Sequence, residues 1–309
     1  VTALLGALSA LVALLPFAAC ARVGRALGWF AGSVLRIRRR AVEAAMLRAG
    51  VEGAPACARA MYARLGAGLT ELLWLSGARP SRRAHAVLES VELAPELVSA
   101  LEAAVARGPV VLAASHTANW ELVAARARVF LAQHGRDLAV VAKPVSQPPV
   151  HAFCTQLRTT FGLQVIAPNG AAASARAVLA RGGAVAMMID QVPDRARHGT
   201  TVPFLGAPAL CDRAPFALAR AAGASVLVVG ARRRGAVSAV SLLAAWDEPP
   251  APAEGAVVAT RALDAFVRSS PADWLWLHRR WRAPRDRRSP RQVPAAASEG
   301  PLVATTHPG

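Results

Sequence analysis

The chain has 309 residues, 54 % of them hydrophobic, and carries 36 basic against 19 acidic side chains for a formal charge of +17. That length and apolar content allow one large domain with extensions and exclude disorder for the bulk of the chain. The positive charge attracts anionic partners, but no finger motif, RNA-binding signature or aromatic-interleaved basic patch accompanies it, so a membrane surface suits it better than nucleic acid.

Val1 to Ala21 contains no charged residue and is mostly Ala, Leu and Val. It has about the length needed to cross a ~30 Å hydrocarbon layer, although Pro16 interrupts it, and is expected either to span the membrane or to lie on it. Arg22, Arg25, Arg36, Arg38, Arg39 and Arg40 follow with no intervening acid. The positive-inside rule then places the rest of the chain on the cytoplasmic side of the membrane. Trp29 and Phe30 lie among these charges, where amphipathic rings suit the head-group region. Residues 1–35 are therefore expected to form an anchor with a basic juxtamembrane segment, 36–283 the main domain, and 284–309 a basic to Pro/Ala-rich tail.

Residues 41–77 have the pattern of two helices separated near 50–55. From Val87 onward, short apolar runs alternate with helical segments. Strands are expected near 89–93, 109–114, 138–142, 163–166, 184–189, 224–230 and 236–243, with helices near 95–107, 119–133, 148–160, 171–181, 212–222 and 255–269. This alternation predicts an α/β fold, a mostly parallel sheet flanked by helices on both faces. Such sheets bind ligands beyond the carboxyl ends of their strands, and His116, Lys143, Asp190 and Gln191 all follow apolar strands at that edge. The four cysteines, Cys20, Cys57, Cys154 and Cys211, are widely spaced. They read as small hydrophobes in a reducing compartment, so neither metal nor disulfide framework is implied.

The acid/base chemistry gathers in PVVLAASHTANWELVAARARVF, residues 109–130. Its apolar run has the composition of a strand buried on both faces, and Leu122, Val123, Ala125 and Val129 recur at helical spacing. On one continuous helix, His116 and Glu121 would lie about 140° apart around the axis, so His116 belongs to the turn before the helix. Asn119 is a candidate N-cap, which puts Glu121 in the first helical turn, where the helix dipole favours a carboxylate. From there Glu121 is expected to take the Nδ1 proton of a folded-back imidazole and leave Nε2 free as a base. By spacing alone, a loop histidine beside a helix-stabilising acid is an equally good reading.

HTANWE resembles the H-x-x-x-x-D/E motif of glycerolipid-type acyltransferases, and its Asn-Trp-Glu form resembles the branch that adds the late lauroyl and myristoyl chains of lipid A. Four later stretches resemble that branch in the same order. They are KPVSQPPVHAFCTQLRTTFGLQVI at 143–166, RGGAVAMMIDQVPD at 181–194, VPFLGAPA at 202–209 and WLWLHRRWR at 274–282. Together the five cover most of the chain from about Arg39 to Arg282.

The resemblance implies a membrane-associated O-acyltransferase. An acyl thioester on acyl carrier protein, or on CoA, would be the donor, and a hydroxyl of a lipid A precursor or related anionic glycolipid the acceptor. His116 and Glu121 would be catalytic, with no cofactor. Asn119, Lys143, Arg158, Asp190, Gln191, Phe204 and Gly206 would attend the substrate. Each has a structural alternative: a cap for Asn119, a solvated strand end for Lys143, an ion pair for Arg158, a capped turn after the strand for Asp190 and Gln191, and a turn with a core aromatic for Phe204 and Gly206. No Gly-x-Ser-x-Gly elbow is present, so transfer would proceed without an acyl-enzyme. The terminal arginines 279, 280, 282, 285, 287, 288 and 291, beside Trp274, Trp276 and Trp281, suit an anionic membrane. His278 reads as structural. A glycerophospholipid or phosphoinositol-mannoside acceptor, or an inactive basic binding protein of the same fold, are the rival readings.

Overall fold

The computed structural model describes residues 2–282 apart from 79, 80, 146, 168, 169 and 236. The terminal tail and Arg285, Arg287, Arg288 and Arg291 thus lie outside the described residues. The first apolar stretch forms two helices, α1 (Thr2–Val12) and α2 (Phe17–Ser33), which part at Pro16 because proline offers no N–H to continue the ladder. Helix α2 runs on through Arg22 and Arg25, so the stretch up to Ala21 is not one continuous helix. Among the described residues, no helix is long and apolar enough to cross a membrane.

After α3 (Arg39–Arg48), the long α4 (Ala54–Ala78) crosses beside α2. Gly24, Gly28 and Gly32 of α2 recur every four residues on one buried face. A Cβ added at Gly28 would overlap the Tyr62 carbonyl of α4, and one at Gly24 would overlap Thr70 and the Gly66 backbone. Removing side chains from this stripe lets the two helices approach closely. Gly77 of α4 meets Ser9 of α1 in the same manner. The opposite faces stay uncovered: Leu4, Leu11, Leu14, Leu27, Trp29 and Phe30 are exposed.

The remaining elements are α5 (Arg82–Glu89), β1 (Glu92–Leu93), α6 (Pro95–Arg107), β2 (Val110–Ala114), α7 (Trp120–Gln133), β3 (Leu138–Val141), α8 (Pro148–Thr160), β4 (Gln164–Ile166), α9 (Ala171–Ala180), β5 (Ala184–Met188), β6 (Gly199–Phe204), β7 (Ala207–Asp212), α10 (Ala214–Ala222), β8 (Ser225–Arg234), β9 (Val237–Trp246) and α11 (Pro252–Ser269). Seven strands form one sheet in the order β1-β9-β8-β2-β5-β3-β4, parallel except for the β8–β9 hairpin. Alternate residues of each strand feed two separate cores. Val111, Val185 and Val226 pack toward α9, α10 and α11, whereas Val110, Leu112 and Leu227 pack toward α5, α6 and α7. Burial on both faces is why these strands read as continuous apolar runs.

Three elements were not legible as such. α5 lies in a stretch where no element was expected and meets the expected first strand only at Glu89. β6 and β7 form a separate hairpin whose two-residue turn holds Leu205 and Gly206 at φ 48° and 81°. Leu205 accepts that left-handed conformation while fully buried, its N–H donating to Asp264 Oδ1 at 2.5 Å.

Candidate active site

Strands β2 and β5 are neighbours, with Ala114 opposite Met188. Two residues beyond each of those positions stand His116 and Asp190, so the sheet register alone sets them side by side above the carboxyl edge. His116 Nδ1 lies 2.8 Å from Asp190 Oδ1, and the His116 backbone N–H donates to Asp190 Oδ2, also at 2.8 Å. Trp274 Nε1 donates to the same Oδ2 at 2.9 Å. With Asp190 accepting at Nδ1, the neutral ring carries its proton there and leaves a lone pair on Nε2. The side-chain nitrogen of Gln191 lies 3.3 Å from that Nε2. Trp120 packs edge-on against the imidazole with ring centroids 5.0 Å apart.

Burial raises the cost of charge on both groups, but each offsets the other's. For Asp190 the penalty is outweighed by His116, its backbone N–H and the Trp274 indole, which together hold the carboxyl down to about 2. For His116 burial pulls the pKa down, yet the Asp190 charge and hydrogen bond, with a smaller push from Glu121, leave it above the ordinary histidine value.

The turn carrying His116 is clamped from several sides. Ala118 adopts a left-handed φ of 49°, and its N–H donates to the Asp273 carbonyl at 2.8 Å. Leu275 N–H donates to the His116 carbonyl at 3.0 Å, and Ala231 N–H donates to Thr117 Oγ1 at 3.0 Å. The segment around Trp274 therefore straps down the turn that carries His116. Beyond the turn, Asn119 caps α7 by accepting from Leu122 N–H at 3.3 Å. Its amide nitrogen donates to Glu71 Oε2 at 2.9 Å, and Glu71 is in turn paired with Arg233, all of them buried. Burial pushes the Glu71 carboxyl up, and Arg233 and Asn119 offset that only in part, so it stays above the usual carboxylate value.

One expectation is corrected by this geometry. Glu121 does not hold Nδ1. It sits in the first turn of α7, as expected, but points to Arg158 at the end of α8, whose Nε donates to Glu121 Oε2 at 2.9 Å and whose Nη2 contacts Oε1. The five-residue offset turns it away from the ring, and Asp190 fills the role. Asn119 caps α7, and its amide nitrogen donates to Glu71 and to the Gly68 carbonyl at 3.3 Å. Phe204 is buried against Trp274 and beneath the Arg280 guanidinium, and Gly206 makes the hairpin turn against the Arg48 backbone. Lys143 links two loops, donating to the Val192 carbonyl at 3.2 Å and to Asp194 Oδ1 at 3.0 Å.

Within the terminal segment, Arg280 is buried under β7, donating to the Leu210 carbonyl at 2.7 Å, while Arg279 and Arg282 remain exposed. His278 is partly buried, and desolvation depresses its pKa to about 4, which keeps it neutral. Glu71, Arg233, Asp273 and the role of the Trp274 indole were not anticipated. Only Glu71, an acid within an apolar helical face, left a trace in the pattern.

The family described as bacterial lipid A biosynthesis acyltransferase matches residues 1–283. The chain belongs to that family. No curated protein matches it. The His116–Asp190 pair stands at the carboxyl edge of the sheet of this lipid A acyltransferase family member, with Nε2 beside the Gln191 amide. The matched span includes α1 and α2 as well as the whole sheet, so the glycine-packed helices belong to the family unit.

Proposed function

We propose that the protein transfers a fatty acyl chain from an acyl thioester, carried by acyl carrier protein, to a hydroxyl of a lipid A precursor or related anionic glycolipid. The observation that carries this reading is the His116–Asp190 pair, in which Asp190 engages Nδ1 and leaves Nε2, beside the Gln191 amide, as the ring nitrogen that would meet a substrate. His116 Nε2 removes the acceptor hydroxyl proton as that oxygen attacks the thioester carbonyl. Asp190 fixes the tautomer and stabilises the imidazolium that forms. The tetrahedral intermediate then expels the thiolate, which takes the proton back from Nε2, so the products are the ester and the free thiol.

Among the described residues, the hydroxyls flanking the histidine are engaged elsewhere, Ser115 Oγ lying 3.0 Å from Thr117 Oγ1, which accepts from Ala231 N–H. Burial raises the pKa of Cys154, the cysteine closest to the Glu121–Arg158 pair, and so disfavours its thiolate. A ternary complex of donor, acceptor and enzyme follows. Glu121 acts through Arg158, holding α7 against α8 beside the site. The exposed apolar faces of α1 and α2, next to the arginines that follow, support location on the cytoplasmic face of an inner membrane.

The test is incubation of the purified full chain with acyl carrier protein thioester and a tetra-acylated lipid A precursor, followed by mass spectrometry. One added acyl chain per acceptor and an equal release of carrier thiol are expected. Hydrolysis of the thioester with no acylated lipid would reject the reading.

A further inference from the structure

The chain between α2 and α3 turns sharply, with Arg36 and Arg38 both in left-handed conformations at φ 51° and 53°. Arg36, Arg38, Arg39 and Arg40 from this turn, with Arg59 of α4 and Ser33, line a groove of about 960 Å³. Such a volume would accommodate a small organic ligand or a lipid head group. Glu43 is the one acid on its wall, and it is occupied by Arg39, whose Nε donates to Glu43 Oε1 at 2.6 Å. Arg39 also donates to the carbonyls of Gly32 and Pro55, so it builds the groove. Arg36, Arg38, Arg40 and Arg59 have no acidic partner among the described residues. Ser33 Oγ is buried and has no hydrogen-bond partner there either.

Four arginines without an acidic partner line one concavity beside the N-terminal end of α3, where the helix dipole adds positive potential, an arrangement that favours a bound anion. The same stretch of chain exposes Val34, Leu35 and Ile37, and Trp29 and Phe30 precede them on α2. Apolar side chains interleaved with arginines match the boundary between acyl chains and phosphates, where each type meets its own solvent. An acidic protein surface would leave those five apolar side chains without a counterpart.

We propose that this groove binds the phosphate of an anionic phospholipid head group in the bilayer, and so docks the protein at a site separate from the catalytic histidine. The inference rests on the membrane location proposed above and not on the acyl transfer. It also assigns a role to the arginines that composition alone leaves as surplus charge. Docking there would seat the apolar residues of α2 at the acyl boundary.

The experiment is sedimentation of the purified full chain with vesicles of pure phosphatidylcholine and with vesicles containing phosphatidylglycerol. The wild type should prefer the anionic vesicles. The triple variant R36Q/R38Q/R40Q should lose about a hundredfold of that affinity at low salt, while a control removing the exposed Arg176, Arg181 and Arg261 should lose far less. Transfer to detergent-dispersed acceptor should be unchanged in the triple variant, with an unchanged KM. Equal losses from groove and control would show that only net charge counts and would overturn the proposal. A raised KM for dispersed acceptor with vesicle binding intact would reassign the groove to the acceptor. A rate lost only with carrier-linked donor, and kept with acyl-CoA, would reassign it to the carrier protein. Both outcomes also overturn head-group docking. Because sedimentation needs no turnover, an inactive preparation leaves the result readable.

Discussion

Asp190 grips His116 twice, through the imidazole Nδ1 and through the residue's own backbone N–H, at 2.8 Å in each case. The double contact fixes the ring's position as well as its tautomer, and it follows from the parallel register that sets Ala114 opposite Met188. The Trp274 indole supplies a third donor to the same carboxylate. A carboxylate so satisfied stays ionised throughout the range in which the histidine could work.

The first prediction separates the two acids. Glu121→Gln leaves the Nδ1 partner in place, so it should reduce transfer less than Asp190→Asn does. It strips Arg158 of its partner in a largely buried site, with 15 % and 9 % of the two side chains exposed. Removing one member of such a pair should cost about 3 kcal/mol, and Arg158→Gln in the same background should recover part of it. Denaturant melts of the two single variants and the double variant measure the coupling. Additive losses would mean that the pair contributes no interaction energy.

The second concerns the helical platform. Gly28→Ala places a methyl group against the Tyr62 carbonyl of α4, where backbone leaves no room to yield. It should destabilise the protein by about 1–3 kcal/mol, whereas Gly6→Ala, with open space around it, should be neutral or slightly stabilising. Melting temperatures of the two variants decide this.

Much of the fold was legible because its signals are local. Strands buried on both faces betray themselves as short apolar runs, and α6 to α9 fall close to their expected limits. The partner of His116 was not legible, because it depends on β2 and β5 being adjacent across 74 residues. Sequence reasoning placed both residues at the same sheet edge but could not give the strand order, and it chose the acid nearest in the chain. The hairpin of β6 and β7 escaped for another reason. Pro203 and Pro208 within it oppose a strand reading, yet they sit across from each other in a two-stranded ribbon where no further strand needs their missing N–H groups. The N-terminal break was visible as Pro16, while the helix contact through Gly24 and Gly28 required knowing that α4 lies alongside.

A third prediction is the pH dependence of stability. Asp190 is held at about 2, below its unfolded value, so its contribution is present above about pH 4 and is lost as pH falls through 2. His116 is raised above 6.5, so its contribution is complete below that value and is lost as pH rises through the elevated pKa. Melting temperatures of the wild type should therefore decline at both ends. His116→Ala should remove the alkaline decline and weaken the acidic one. An unchanged alkaline limb in that variant would show that other groups govern it.

The central claim is that His116 is the base and Asp190 the group that tunes it, and the pH profile of acyl transfer tests both together. The base works only when neutral, so the wild-type rate should rise with pH through a value above 6.5. Asp190→Asn should lower the plateau by about 10²–10⁴-fold and move that rise to lower pH, since the charge that raises the imidazole is gone. His116→Ala should leave no such rise at all. A near-native plateau in Asp190→Asn with its rise unmoved, or transfer retained by His116→Ala with an unaltered melt, would contradict the account.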